Sequence, residues 1–407
     1  MLISFTVKNF LSFAEEATVS FERSRRAEAH EHYVQHGEQS ISKALAVIGP
    51  NASGKSNLLK ALTFLIWFMS DSFGELKPGE ELRLRPHAFC EGKPTEFTLE
   101  FFIDKKVYKY ELALDTFKVL HEALYCRSID QGKFSYLFKR EWVGTSYRYS
   151  QKLFEFPKDQ LSAIRSNASF VSTALQYNVQ RAVEIYKQFL QKFISSFDER
   201  GLVETDAQDE ASEFFYKNKN AADLMKDVMK NIDLGLSDIE ISPPLSRKKM
   251  SSHVEFSPIK EYYWHGVHHD KPNNREFSVL YLDESGGTQK MYCFLARIIP
   301  VLLNGGVAVI DELESELHPD MLVYVLNLFF SKQSNPHGAQ ILFTTHSAEL
   351  LNFLEKYQVI LVEKNNTFSE AWKLDQVKGI RPEDNLYKKY RAGVYGATPD
   401  LYLPRTK

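Results

Sequence analysis

The spacing of apolar and polar positions changes character several times along the chain. Residues 2–7 and 17–21 alternate, the two-residue period of half-buried strands, whereas 44–48 form an unbroken apolar run suited to a sheet covered on both faces. A helical run over 57–69 follows. Alternation returns over 97–103, 107–114 and 122–127, bounded by polar turns such as Asp104-Lys105-Lys106 and Asp130-Gln131-Gly132, which predicts an antiparallel sheet layered on the preceding elements. From about 160 to 230, Gly and Pro become scarce and apolar residues take mixed three- and four-residue spacing, as at Val183, Tyr186, Phe189, Leu190 and Phe193; this predicts an inserted helical lobe. Pro243-Pro244 and the triplet Arg247-Lys248-Lys249 mark 241–250 as an exposed connector, and 262–267 with 276–282 pattern as a strand pair. The last third alternates strand 307–310, helix 320–331, strand 340–344, a helix from 348 and strand 359–362, the order of a parallel sheet. No internal repeat, low-complexity stretch or sustained heptad pattern interrupts this order.

Chemistry enters where the run 44–48 ends. Gly49-Pro50-Asn51-Ala52-Ser53-Gly54-Lys55-Ser56 is a complete G-x-x-x-x-G-K-[ST] loop between strand and helix. Glycines there let backbone N–H groups turn toward phosphates, Lys55 brings a point charge to the β/γ oxygens, and Ser56 offers a hydroxyl to Mg²⁺, with Asn57 next on the helix. A nucleoside triphosphate is the implied ligand. Three further segments add specificity. The strand Val307-Ala308-Val309-Ile310 ends in Asp311-Glu312, placing Asp311 where it can hold Mg²⁺ through water and Glu312 where it can polarise an attacking water. The plainer reading is an exposed acidic turn, since Glu314 and Glu316 continue the acidity. Ser285-Gly286-Gly287 opens a helical run over 290–303 and offers free N–H groups and a hydroxyl to an anion, although it cannot easily reach the phosphates held by Lys55; a simple N-cap is the alternative. His346, in Thr344-Thr345-His346-Ser347, could donate to a γ-phosphate or hold the water near Glu312, or be a satisfied surface histidine.

Composition narrows the setting. The 407 residues are 25% charged with net charge −3, so the chain lacks the global positive field of a nucleic-acid coat. Any DNA or RNA contact must be local, through Arg23/Arg25/Arg26, Arg247-Lys248-Lys249 or Lys388-Lys389-Arg391, each of which reads more simply as a solvated loop. Cys90, Cys126 and Cys293 lie far apart, which indicates neither a zinc site nor a disulfide framework. Tyr263-Trp264-His265 followed by His268-His269 lacks a completing ligand and reads as a hairpin turn, leaving nucleotide-bound Mg²⁺ as the expected metal. The first residues have no signal-peptide pattern, and the longest apolar stretch, 61–69, is too short to span a bilayer. A soluble, cytoplasmic chain with no membrane partner is expected.

Phosphate loop, Ser-Gly-Gly, Asp-Glu strand and switch histidine, in this order, resemble the ABC-type ATPase heads of the SMC, RecF and OLD group. The opening Ile3-Ser4-Phe5-Thr6-Val7-Lys8-Asn9-Phe10-Leu11-Ser12-Phe13 is similar to that group's first strand, and Glu312-Leu313-Glu314-Ser315-Glu316-Leu317-His318-Pro319 to its post-catalytic loop. The ending from Tyr390 to Pro399 is similar to the tail of AbiL-type ATPases of bacterial abortive-infection and other phage-defence loci. The resemblance implies an α/β fold, an ABC-type P-loop NTPase head of mixed or parallel sheet with helices, an antiparallel β layer and an inserted helical lobe. It divides the chain into 1–150, the first part of the head; 151–250, the helical lobe and connector; and 251–407, the second part.

The same resemblance implies ATP and Mg²⁺ as cofactors, sandwiched between the heads of a homodimer. Residues 49–57, including Pro50, Asn51, Ala52 and Ser53, would line the nucleotide, Ser56 and Asp311 the metal, with Glu312 as base and His346 as switch; Ser285, Gly286 and Gly287 would act on the other copy's nucleotide. The group's Q-loop glutamine has no evident counterpart. Residues 359–363 look like the first strand of a TOPRIM nuclease, as fused in OLD proteins, yet no Asp-x-Asp follows, so they are expected to be the last sheet strand. With an ATPase apparatus and no second catalytic centre, the expectation is a dimeric defence switch controlling a separately encoded effector such as a nuclease. A RecF-like DNA-repair ATPase is the alternative, and a transporter subunit fits poorly.

Overall fold

The computed structural model describes residues 1–23, 30–130, 132–197, 208–232, 235–247, 259–270, 272–316, 319–381 and 383–399. Arg25, Arg26, Lys248, Lys249, Leu317 and His318 lie outside the described residues.

Two large sheets organise the chain. Seven strands run antiparallel in the order β11–β10–β9–β8–β7–β1–β2: β1 (Leu2–Lys8), β2 (Ala17–Ser20), β7 (Thr95–Ile103), β8 (Lys106–Leu114), β9 (Val119–Ser128), β10 (Ser135–Trp142) and β11 (Tyr147–Gln151). Six form the second sheet, β12–β16–β17–β6–β18–β19: β6 (Ala44–Ile48), β12 (Phe193–Ser195), β16 (Val307–Ile310), β17 (Gln340–Thr345), β18 (Val359–Asn365) and β19 (Phe368–Lys373). All its pairings are parallel except the last, where β19 folds back on β18. Two three-stranded sheets complete the set, β3 (Glu22–Arg23), β4 (Tyr33–His36) and β5 (Gln39–Ser42) in one, β13 (Leu236–Arg247), β14 (Ile259–Asp270) and β15 (Arg275–Leu280) in the other.

The six-stranded sheet is covered on both faces, as its apolar runs require: every residue of β6, β16 and β17 is buried. Alternate residues of these strands feed two cores. Leu45, Val47, Val307, Val309 and Leu342 join the core shared with the antiparallel sheet, α1 (Lys55–Ser70), α3 (Phe170–Gln176) and α4 (Gln180–Gln188). Ala46, Ile48, Ala308, Ile310, Ile341 and Phe343 join a second core with α5 (Gln208–Lys217), α6 (Lys219–Ile232), α7 (Gly286–Asn304) and α9 (Pro319–Phe330). Helix α1 is buried along nearly its whole length, with Phe64 packed on Phe10 and Phe97 of the antiparallel layer. Three short helices, α2 (Ser72–Glu75), α8 (Leu313–Glu316) and α10 (Leu386–Arg391), complete the set.

Several elements differ from the expectations above. The helical stretch contains β12, which adds to the edge of the six-stranded sheet beside β16, so α3 and α4 pack on one face and α5 and α6 on the other. The expected connector over 241–250 is strand through Arg247: β13 pairs with β14 across the prolines by shifting register between Ser242 and Leu245, a bulge that absorbs two residues lacking an N–H. Strands β10 and β11 extend the antiparallel layer beyond its predicted edge. Strand β19 follows β18, which is therefore not the last strand of its sheet.

Candidate functional site

The phosphate loop leaves β6 at Gly49 and enters α1 at Lys55. Gly54 sits at φ 112°, where a side chain would be strained, and a Cβ there would lie 2.5 Å from Ser369 Oγ. At Gly49 a Cβ would lie 2.0 Å from the Val362 carbonyl oxygen of β18. Ala52 also takes a left-handed φ of 60°. Neighbouring elements brace the loop: Ser369 Oγ donates to the Ser53 carbonyl at 2.6 Å, Ser369 N–H donates to the Ser12 carbonyl at 2.8 Å, and Asn57 Nδ2 donates to Ser12 Oγ at 2.9 Å. Lys55 is 6% exposed and donates to the carbonyls of Gly49 and Pro50, both at 3.0 Å. Burial pulls its ammonium below the ordinary lysine range, opposed by the charges of Asp311, Glu314 and Glu312. Ser53 Oγ is buried with no hydrogen-bond partner among the described residues. Asn51 is exposed, and Pro50 and Ser56 are half-buried.

Sheet register brings the acidic strand end and the histidine to the same edge. Ile48 pairs with Thr345 and Phe343 with Ile310, so Gly49, His346 and Asp311 each emerge just beyond aligned strand ends. Thr344 Oγ1 donates to Asp311 Oδ1 at 2.7 Å and accepts the Glu312 N–H at 2.6 Å. Ser196 Oγ, just past β12, accepts the Asp311 N–H at 3.3 Å. Glu312 adopts φ 48°, an uncommon backbone for a non-glycine residue and one concentrated at functional positions. Its exposed carboxylate lies 3.8 Å from His346 Nε2. Glu314 Oε1 accepts the His346 backbone N–H, and Glu314 Oε2 is buried without a partner among the described residues.

Ser285 caps α7, its Oγ accepting the Thr288 N–H at 3.1 Å and meeting Thr288 Oγ1 at 2.8 Å. Ser285, Gly286 and Gly287 are all exposed; a Cβ on Gly286 would meet nothing within 4 Å. The preceding Glu284 anchors the turn against β14, where its carboxylate meets His268 Nε2 at 2.8 Å. Trp264 of the same strand is fully buried, stacked 4.6 Å from Tyr292 of α7, so this aromatic and histidine-rich strand holds α7 and its N-terminal turn in place.

One chain thus joins Lys55, Asp311, Glu312 and His346 with the loop 49–57 at one sheet edge. No hydrogen bond or ion pair among the described residues connects Ser285, Gly286 or Gly287 to that group. A cavity of about 570 Å³ lies elsewhere, lined among others by Arg23, Glu355 and Arg381. Ser56, Asp311 and the unpartnered oxygen of Glu314 are hard oxygen donors; Asp311 and Glu314 both act electrostatically on Lys55, the residue before Ser56, and the chemistry of this donor set suits Mg²⁺. The bracing residues Ser12, Ser196, Thr344 and Ser369 were not predicted, nor was Glu314; only Glu314 carried a signal, as an acid two residues past Glu312.

A strand, phosphate loop and buried helix on a mixed sheet, with an acidic strand end aligned beside them and an antiparallel layer packed over the helix, define a P-loop nucleotide-binding α/β fold. The chain belongs to the family described as AAA domain, putative AbiEii toxin, Type IV TA system, whose model matches residues 45–352. The AbiL-like ending at 390–399 lies outside the matched residues. Among solved structures the chain is similar to the SMC head domain from Thermotoga maritima, at 15% identity over 91% of this chain and 98% of that one with a TM-score of 0.42. It is also similar to an SmcHead bound to the C-winged helix domain of ScpA, at 13% identity over 93% and 99% with a TM-score of 0.44. Comparison with curated proteins gives no match.

Proposed function

We propose that this chain binds and hydrolyses ATP between two copies of itself and works as a dimeric switch in anti-phage defence, controlling a separately encoded effector such as a nuclease. The observation that carries the reading is the division of the site. One chain assembles loop, lysine, acids and histidine, yet leaves a capped Ser-Gly-Gly turn exposed and unengaged. The AbiL-like ending supports the defence setting. The RecF-like reading is less favoured, because Lys389 pairs with Asp384 and Arg23 with Glu355, so these cations are engaged within the chain.

In this mechanism the N–H groups of residues 49–57 surround the phosphates and Lys55 turns from the Gly49 and Pro50 carbonyls toward the β/γ oxygens. Ser56 and Asp311 would hold Mg²⁺, which supplies charge neutralisation across the β- and γ-phosphates. Glu312 takes a proton from water as its oxygen attacks the γ-phosphorus, and ADP leaves with the β–γ bridging oxygen. His346, 3.8 Å from Glu312, orients that water or the γ-phosphate. Ser285 and Gly287 of a second copy close the other side of the γ-phosphate, so loss of phosphate loosens the pair.

Glu312→Gln tests this directly. It retains shape but not basicity, so turnover falls by a factor on the order of 10²–10⁴, ATP binding persists, and a dimer accumulates in light scattering. A variant that stays monomeric with saturating ATP and Mg²⁺ would overturn the reading.

A further inference from the structure

We propose that Glu314 is a positioning residue that ties the backbone of His346 to the Mg²⁺ of a bound nucleotide. The inference rests on the nucleotide-site reading above. It begins from how the three acids at the end of β16 are employed. Asp311 already accepts a hydrogen bond from Thr344 through Oδ1. Glu312 points outward, half exposed, with His346 beside it. Glu314 differs from both: one oxygen accepts the His346 N–H, while the other is shut away from solvent with no donor facing it among the described residues.

A buried carboxylate oxygen with no donor is expensive to keep, and a fold retains it where a ligand completes it. The surroundings decide what that ligand is. Glu314 accepts the N–H of His346, which follows Thr345, the partner of Ile48 just before the phosphate loop, so the carboxylate stands at the strand ends from which that loop leaves, and its charge acts on Lys55. Lys55 itself is held by the carbonyls of Gly49 and Pro50 and makes no hydrogen bond to Glu314. A hard cation or its bound water is the partner this acceptor suits, and Mg²⁺ arriving with nucleotide is the one the donor set fits.

The consequence is a link between metal occupancy and the histidine. Glu314 holds the backbone at His346, and the imidazole of the same residue stands 3.8 Å from Glu312. A carboxylate engaged by the metal on one oxygen and by His346 on the other fixes where that imidazole sits. An empty metal site leaves Glu314 anchored on one side only.

The test measures Mn²⁺ binding by electron paramagnetic resonance on the full chain loaded with adenylyl imidodiphosphate. Glu314→Gln keeps a carbonyl acceptor for the His346 N–H but removes the charge; Mn²⁺ affinity should fall about tenfold, while nucleotide affinity in EDTA and the thermal midpoint of the unliganded protein stay unchanged. Glu314→Ala should weaken Mn²⁺ equally and, in addition, move the His346 imidazole C–H resonances, which Glu314→Gln leaves in place without metal. Lys55→Ala serves as the reference and should weaken nucleotide binding at least about a hundredfold. Wild-type Mn²⁺ affinity in Glu314→Gln, with the Lys55→Ala effect intact, overturns the role of Glu314 alone. Wild-type nucleotide affinity in Lys55→Ala overturns the site reading and this inference with it.

Discussion

Two glycine-rich helix starts in this chain are built from the same materials and end in opposite states. Around Gly49–Ser56 the backbone is enclosed by other elements: the Val362 carbonyl of β18, the hydroxyls of Ser12 and Ser369, and the acids at the end of β16. Around Ser285–Gly287 the hydrogen-bond partners among the described residues are Thr288 and Gln289 of the same helix start, and space lies open beyond Gly286. The chemistry of a helix N-terminus is equal in both, with free N–H groups and no side chain in the way. Enclosure is what differs, and it separates a backbone braced by its own chain from one left open at the surface.

Lys55→Ala should separate the two most strongly. Lys55 is buried among the loop carbonyls and in the field of three acids, so its loss removes the charge-assisted contacts it would make to phosphate. Nucleotide affinity measured by calorimetry should drop at least about a hundredfold, or about 2.7 kcal/mol. Ser285→Ala should leave that single-chain affinity unchanged and act only on nucleotide-dependent association.

Glycine substitutions sharpen the contrast next. Gly49→Ala pushes a methyl to within 2.0 Å of a backbone carbonyl that cannot rotate away, so it should cost stability at the upper end of the ~1–3 kcal/mol typical of overpacking. Gly286→Ala meets open space and should change stability by less than about 0.5 kcal/mol in a denaturant titration. In the Glu312→Gln background, however, it should abolish the ATP-dependent dimer. Equal stability losses at the two glycines would break the comparison.

Much of this was legible in the chain because the informative residues sit at strand ends. Gly49, Asp311 and His346 each follow a short buried run, and a parallel sheet that pairs Ile48 with Thr345 and Ile310 with Phe343 brings those ends together. Strand β10 was hidden for a physical reason: Arg140 faces the core, where its ion pair with Glu122 at 2.6 Å is fully buried and its guanidinium also donates to the Arg165 and Ala168 carbonyls. A charged residue at an inward position erases the alternation that marks a strand. Strand β12 is three residues long, too short for any period, and the bulge at Pro243-Pro244 turns an apparent breaker into strand. The left-handed backbone of Glu312 and the buttress from Ser369 depend on tertiary contacts, the latter reaching across 316 residues, and no local pattern announces them.

Ser369 offers the smallest and most selective perturbation. Its hydroxyl donates to the Ser53 carbonyl, while its backbone N–H, which donates to Ser12, survives a change to alanine. Ser369→Ala therefore removes one buttress and adds no bulk beside Gly54. The loss should be about 1 kcal/mol of stability, the ordinary net value of one hydrogen bond, with a smaller drop in nucleotide affinity than Lys55→Ala produces. If bracing from β19 is what makes the phosphate loop a finished pocket, hydrogen exchange should quicken at residues 51–54 in this variant and stay unchanged at 285–287. Equal exchange at 51–54 in variant and wild type would mean that the loop holds its shape without β19, and that enclosure does not set the two helix starts apart.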